Sequence, residues 1–157
     1  MSTPAAEIFK AYDIRGIVDH SLTETTVQQI GQAVASDTLA CQGDTVIVGR
    51  DGRLSGPRLV SALSDGIRAA GCDVVDIGMV ATPCTYFASH HLNIGSAISV
   101  TGSHNPPEYN GLKIMVGGET LFGERIQHLR HRIETGELEH GSGNRRETDV
   151  VEAYLNR

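Results

Sequence analysis

A serine, a histidine, two prolines and two asparagines crowd into TGSHNPPEYNGLKI, Thr101 to Ile114, directly behind the apolar run SAISV. Ser103 therefore stands just beyond a short β-branched segment, in a loop with little freedom. Pro106 and Pro107 fix their own φ, and Pro106 drives Asn105 toward extended geometry. Gly102 permits an unusual backbone angle before the serine. Such a loop can be a rigid turn with a surface serine, since Asn, Pro and Gly are ordinary turn residues. It can also hold a hydroxyl out for chemistry. Acyl transfer fits poorly: there is no G-x-S-x-G elbow, and the ring of the adjacent His104 would ordinarily point away from Ser103. A phosphate on Ser103 suits the neighbourhood better. It would need backbone N–H donors and cations. Lys113 can return to the loop across a hairpin, and Arg15, Arg50 and Arg53 lie in other loops. On these residues alone, turn and phosphate carrier both stand.

Two more motifs belong with it. YDIRG (12–16) carries Arg15, for which a salt bridge to Asp13 or Asp19 is the plain alternative role. GRDGRLSGP (49–57) has the glycines of a phosphate loop but neither G-x-x-x-x-G-K-[ST] nor G-x-G-x-x-G. It reads as mostly architectural, with Asp51 and Arg53 bracing the serine loop and Ser55 capping a helix. His90 and His91 are adjacent and would diverge on a helix. No metal set can be assembled, because a closed site needs three or more protein ligands.

The elements that must hold these motifs alternate. LTETTVQQIGQAVASDTLA places Val27, Ile30 and Val34 at helical spacing, with Ser21 or Thr23 as cap and Ser21 with Glu24 at capping-box distance. DTVIVG (44–49) is a short buried strand. SGPRLVSALSDGIRAAG has Ser55 as N-cap, Pro57 in its first turn, Leu59, Leu63, Ile67 and Ala70 on one face, and Gly71 as a left-handed stop. DVVDIG (73–78) is a strand, Thr82-Pro83 opens a helix, and SAISV (96–100) is a third strand. This alternation predicts an α/β fold, a three-layer α/β/α sandwich with a mixed, mostly parallel sheet. About ten residues separate SAISV from LKIMV (112–116), too few for a crossover helix, so these two are expected as antiparallel neighbours. A last amphipathic helix turns Ile126, Leu129 and Ile133 inward. In open α/β sheets ligands collect at the carboxyl ends of parallel strands, where the three motifs fall or can reach.

The 157 residues suit one domain, and 39% hydrophobic content is enough for a core. A net charge of −6 argues against a broad nucleic-acid footprint. There is no 18-residue apolar run and no charged-then-apolar leader pattern, so neither membrane insertion nor export is expected. Three cysteines without paired spacing read as reduced thiols of a cytoplasmic protein. GELEHGSGNRRETD is a linker by composition, followed by an apolar start, VVEAYLNR. The expected division is a domain over 1–136 and, over 137–157, a linker and the cut-short start of a following domain.

IFKAYDIRG (8–16), GRDGRLSGP (49–57), GMVATP (78–83) and TGSHNPPEYNGLKI (101–114), in this order, resemble the first domain of the α-D-phosphohexomutases. The serine-loop motif is highly specific, and the likeness spans nearly the whole chain. FKAYDIRG resembles the phosphomannomutase/phosphoglucomutase branch; phosphoglucosamine mutases usually read Phe-Gly-Thr-Asp-Gly-Ile-Arg-Gly there. The resemblance implies an isomerase that interconverts hexose 1-phosphate and hexose 6-phosphate through a phosphoserine, with glucose 1,6-bisphosphate or mannose 1,6-bisphosphate as intermediate and activator. It implies that Ser103 carries the phosphoryl group. His104 and Lys113 would assist proton movement or neutralise charge, with Arg15 close to the phosphoryl group. Tyr12 and Asn105 would face the substrate, Asn105 also holding the loop. It further implies Mg²⁺ bridging the phosphate on Ser103 to an Asp-x-Asp-x-Asp loop. That loop does not occur in this chain, nor do the family's later sugar- and phosphate-binding loops. The implied partners are a mannose or glucose phosphate and the remaining three domains of the enzyme. The competing expectations are another phosphosugar mutase domain, and a non-catalytic phosphate-binding module in which Ser103 is only a turn residue.

Overall fold

The structure, a computed structural model, describes residues 3–157. In chain order the elements are β1 (Ile14–Ile17), α1 (Glu24–Ala40), β2 (Thr45–Arg50), α2 (Gly56–Ala70), β3 (Asp73–Met79), α3 (Thr82–His91), β4 (Ser96–Val100), β5 (Tyr109–Val116), β6 (Glu119–Thr120), α4 (Glu124–Thr135), β7 (Arg145–Glu147) and α5 (Val151–Leu155). They build one mixed sheet in the order β1-β5-β4-β2-β3-β7, with β6 paired to β5. β4, β2, β3 and β7 are mutually parallel. β5 is antiparallel to both β4 and β1. Along that path β5 is thus the one reversed strand, as the short 101–108 connection requires.

Helix ends follow local chemistry. Thr23 Oγ1 accepts the Thr26 N–H at 3.1 Å and caps α1. Ser21, the alternative cap, instead accepts the Ile17 N–H at 3.0 Å and closes the β1–α1 turn. Pro57 enters the first turn of α2, and Gly71 stops that helix at φ 104°. Ser55 holds the N-cap position of α2 but caps nothing with its side chain. Its hydroxyl accepts from Asn110 Nδ2 at 2.9 Å, tying the helix start to β5.

The two sheet faces bury separate cores. Ile14, Val46, Val48, Val74, Ile98, Leu112 and Ile114 meet Val27, Ile30, Leu59, Leu63 and Ile67 of α1 and α2, and Ile126 and Leu129 of α4. On the other face Ile47, Val75, Ala97 and Met115 meet Cys84 and Ala88 of α3, with Val150 and Tyr154 beside them. The expected inward trio of α4 holds, with Ile126 and Leu129 fully buried and Ile133 partly so.

The polar stretch after α4 contributes to the fold. Gly141 N–H donates to Ala69 O at 2.8 Å, Gly143 N–H to Arg68 O at 3.0 Å, and Val74 N–H to Asn144 O at 2.8 Å. β7 then extends the sheet beside β3. A Cβ on Gly143 would lie 1.8 Å from the Cys72 carbonyl oxygen, so only glycine lets the chain run this close. Composition does not reveal such a strand: Arg-Arg-Glu is charged throughout, as suits an exposed edge, and besides its backbone pairing it is tied to β3 by Arg145 Nη2, which donates to Asp76 Oδ2 at 2.6 Å.

Cys72 and Cys84 are buried and Cys41 is exposed. Burial, with the charges of Asp44 and Asp73, pushes the Cys72 thiol up to about 11. Burial also raises Cys84. Alkylation at pH 8 followed by peptide mapping should label Cys41 alone in the native protein and all three after unfolding. Native labelling of Cys72 would contradict this packing. The shift also has a sign for stability. The native state holds the neutral Cys72 thiol, so its contribution is complete below the unfolded thiol's range and is lost as pH rises toward 11.

Candidate active site

The serine loop leaves the carboxyl end of β4 and is held from below by the loop after β2. Asp51 N–H donates to Val100 O at 2.9 Å, which seats the aspartate beside the loop entry. Its Oδ2 accepts the Thr101 hydroxyl at 2.9 Å and the Gly102 N–H at 3.0 Å. Its Oδ1 accepts the Arg53 N–H at 3.1 Å. Thr101 Oγ1 in turn accepts the Ser103 N–H at 3.1 Å. Asn105 closes the turn on itself, donating to Gly102 O from its backbone N–H at 3.0 Å and from Nδ2 at 2.9 Å.

Arg53 completes the hold. Its Nη1 donates to Pro106 O at 2.7 Å and Tyr109 O at 3.0 Å. Its Nη2 donates to Asn105 O at 2.7 Å and Ser103 O at 3.2 Å. Its Nε lies 3.5 Å from Asp51 Oδ2. The bracing expected of Asp51 and Arg53 is therefore present. Thr101 is a member that sequence reasoning missed; the signal available was a hydroxyl two residues before the serine, the spacing of an ST turn.

One expectation is corrected. The unusual backbone angle belongs to Ser103, at φ 53°, and Gly102 is not among the positive-φ residues. Gly102 is required for a different reason. A Cβ there would fall 1.9 Å from Arg53 Nε and 2.0 Å from Cζ, so the guanidinium can lie against the backbone only where no side chain exists. The left-handed conformation costs Ser103 about 1–2 kcal/mol, and the bonds on either side of it hold it there. Ser103 and His104 are both exposed at the loop tip.

The other predicted cations come from the β1–β5 edge. Arg15 is in register with Gly111, and Lys113 with Ser99. Alternation along β5 puts Gly111 and Lys113 on one face, so Arg15 and Lys113 share it as diagonal neighbours, about 7–8 Å apart at the backbone. It is the face opposite Ile14, Leu112 and Ile114. Arg15 Nη2 bonds to Asp13 Oδ2 at 3.0 Å, which settles the salt-bridge alternative in favour of Asp13 over Asp19. Asp13 is buried, and its Oδ1 has no partner among the described residues. Lys113 is half-buried, and its side chain makes no hydrogen bond or ion pair among the described residues. Tyr12 is 77% exposed. Among the described residues none of the side chains of Tyr12, Arg15 or Lys113 bonds to the serine loop; Arg15 and Lys113 sit on the neighbouring strands and Tyr12 just before β1.

Two further arginines, the expected Arg50 and Arg58 of α2, make no bond to the serine loop among the described residues. Arg50 turns to Asp51 O at 3.3 Å. Arg58 forks onto Asp19 at 2.7 and 2.8 Å, and that guanidinium holds the Asp19 carboxyl below its usual range. A cavity of about 770 Å³ lies against the serine loop, lined by Asp19, Asp51, Arg53, Arg58, Asn105 and Pro107 among others.

The metal that the resemblance implies does not find its ligands here. Among the described residues no three His, Cys, Asp or Glu side chains converge on one point. Asp51 Oδ2 is engaged by the serine loop and Oδ1 by the Arg53 N–H. Nor is any helix among the described residues long and apolar enough to cross a membrane.

Comparison with known proteins agrees with this arrangement. The family model described as phosphoglucomutase/phosphomannomutase, alpha/beta/alpha domain I, matches residues 6–140. The phosphomannomutase/phosphoglucomutase of Pseudomonas aeruginosa is 51% identical over 98% of this chain and 33% of its own length. A phosphoglucomutase of Neisseria meningitidis is 49% identical over 85% of this chain and 29% of its own length. The crystal structure of a phosphoglucomutase/phosphomannomutase family protein from Burkholderia thailandensis superposes with a TM-score of 0.93 at 48% identity, over 97% of this chain and 35% of that one. The chain thus spans about a third of the length of these relatives. With the serine loop, its Asp51–Arg53 brace and the whole sheet accounted for, this chain belongs to the phosphoglucomutase/phosphomannomutase family and represents its α/β/α domain I.

Proposed function

We propose that this chain is the phosphoryl-carrying domain of a phosphomannomutase/phosphoglucomutase, which interconverts hexose 1-phosphates and hexose 6-phosphates in carbohydrate metabolism. The observation that carries the reading is Ser103, exposed at the tip of a loop whose backbone is fixed on both sides, in a chain of this family. In the first half-reaction the free hydroxyl of a hexose monophosphate attacks the phosphorus on Ser103. A sugar O–P bond forms, the P–Oγ bond breaks, and the sugar's proton ends on Oγ. In the second half the resulting bisphosphate returns its other phosphoryl group to Oγ, and the proton passes to the sugar oxygen released.

Such a transition state spreads charge over three oxygens, so positioning and positive charge do most of the work. In this reading Lys113 and Arg15 supply charge from the adjacent strands, and His104, next to Ser103 in the chain, carries a proton. Tyr12, exposed just before β1, is assigned to meet the sugar. Magnesium enters this reading only with carboxylates from outside the chain, since the described residues offer it Ser103 alone. The three further domains would supply those carboxylates and the sugar selectivity, with glucose 1,6-bisphosphate or mannose 1,6-bisphosphate as activator. Mannose and glucose phosphates are the substrates favoured here, because the relatives carry the names phosphomannomutase/phosphoglucomutase and phosphoglucomutase. Three free cysteines are in keeping with a cytoplasmic enzyme.

The test is intact mass of the full-length protein after incubation with glucose 1,6-bisphosphate and Mg²⁺. One added phosphate, absent in Ser103→Ala, is expected; no adduct would favour a phosphate-binding module. The 157-residue chain alone should turn over no hexose phosphate at an enzyme's rate. Mutase activity from it alone would refute the division of labour between this domain and the rest.

A further inference from the structure

Resting on the mutase reading above, we propose that Arg53 is a positioning residue for phosphoryl transfer, an internal pin for the serine loop rather than one of the cations that bind phosphate. The sequence offers Arg15, Arg50 and Arg53 near the loop and suggests a bracing part for Arg53, but charge alone does not separate that part from phosphate binding. Their partners do. Arg15 has one ion pair, to Asp13, and is more than a third exposed. Both terminal nitrogens of Arg53 are already engaged by main-chain carbonyls, those of Ser103, Asn105, Pro106 and Tyr109. Its Nε faces Asp51. Every nitrogen thus has a partner, and a phosphate could engage the fork only by displacing loop carbonyls.

The geometry also explains why the residue is arginine. The four carbonyls span Ser103 to Tyr109, from the serine to the first residue of β5. They can be gathered onto one group only by a planar fork with donors pointing both ways. A lysine supplies the charge but not the fork. Gly102 leaves open the slot into which the guanidinium fits. Asp51 acts on the other side of the same hinge, holding Thr101 and Gly102 while its Oδ1 holds the Arg53 backbone. The pair makes the loop one body with the carboxyl ends of β2 and β4. Phosphoryl transfer runs in both directions through one serine, so the same fixed Oγ position must serve departure and return.

The expected loss follows from displacement. A shift of about 1 Å in a reacting atom can cost about 10²-fold in rate. In a full-length mutase carrying this domain, Arg53→Ala and Arg53→Lys should both lower kcat about 100-fold, with KM for the hexose phosphate changed less than about threefold. Methylguanidinium added to Arg53→Ala should recover about tenfold of that loss. A role as phosphate ligand predicts otherwise: Arg53→Lys keeps most of the rate, and KM rises.

A second measurement needs no catalysis. In the 157-residue chain, Arg53→Lys should speed hydrogen exchange at the Gly102, Ser103 and Asn105 amides by about tenfold or more, while amides within β2 and β4 keep their rates. Wild-type exchange at those three amides, or wild-type kcat in Arg53→Lys, overturns the proposal. A wild-type protein that never takes a phosphate on Ser103 sinks the mutase reading instead, and the exchange experiment still decides whether Arg53 is the pin.

Discussion

Ser103→Ala is expected to remove mutase turnover, lowering kcat roughly 10⁴-fold or more, while changing the stability of the domain by no more than about 0.5 kcal/mol. The two halves of that statement have separate sources. The rate loss follows because the hydroxyl is the only atom of this side chain that can accept and return a phosphoryl group. The stability follows because the loop is held by other atoms. The Ser103 backbone N–H bonds to Thr101, and its carbonyl accepts from Arg53. The side chain is exposed and holds no hydrogen bond among the described residues. Alanine inherits the left-handed φ of 53° at a similar cost. Thermal unfolding beside a coupled mutase assay checks both halves. A folded Ser103→Ala protein that keeps more than a trace of activity would contradict the assigned role, and a collapsed one would contradict the assigned support.

The second large effect concerns the scaffold. Gly66→Ala should destabilise the domain by about 2 kcal/mol, although alanine is the better helix former by about 1 kcal/mol. The reason is a crossing of α1 and α2 at which the backbones meet without side chains between them. A Cβ on Gly66 would lie 1.9 Å from the Gln28 carbonyl oxygen, and one on Gly31 would lie 2.4 Å from the Leu63 carbonyl oxygen. Neither obstacle is a flexible side-chain end, so the helices must part. Overpacking of this kind costs about 1–3 kcal/mol, sometimes more, which outweighs the gain in propensity. Gly66→Val should cost more, about 3–4 kcal/mol, because the branch adds volume and lowers propensity. Denaturant unfolding reads the sign directly. A stabilised Gly66→Ala would mean that the two helices do not approach as closely as described.

Much of this was legible in the residues because several signals agree locally. In α2, Pro57, the Leu59-Leu63-Ile67 stripe and Gly71 mark start, face and stop, and all three are seen. The antiparallel placement of β5 followed from chain length alone, since 101–108 leaves no room for a crossover. At the site, residue types located the serine loop and named Asp51 and Arg53 as its braces.

What was hidden depends on contacts between distant segments. β7 shows no β-favouring residue, and its place is set by main-chain bonds to the β3 edge and by the Arg145–Asp76 ion pair. Gly31 and Gly66 look like weak points of two helices until the helices are crossed. Gly102 looks like a conformational hinge until Arg53 is laid against it. Ser55 carries every local mark of a capping residue, yet Asn110, far along the chain, engages its hydroxyl. Arg53 was legible as a brace, but the partners of the other arginines were hidden for the same reason. Arg15, Arg53 and Arg58 have equal charge, and only their partners separate a cation flanking the site, a loop pin and a surface ion pair.

The central claim is that Ser103 relays a phosphoryl group to and from a hexose phosphate. A chase tests it most directly. The full-length protein would be labelled with radioactive glucose 1,6-bisphosphate, freed of small molecules, and mixed with unlabelled glucose 1-phosphate and Mg²⁺. The account predicts that label mapped to the peptide containing Ser103 leaves the protein within turnover time and appears in the hexose phosphates. Label that stays on the protein through many turnovers, or that maps to another residue, would contradict it.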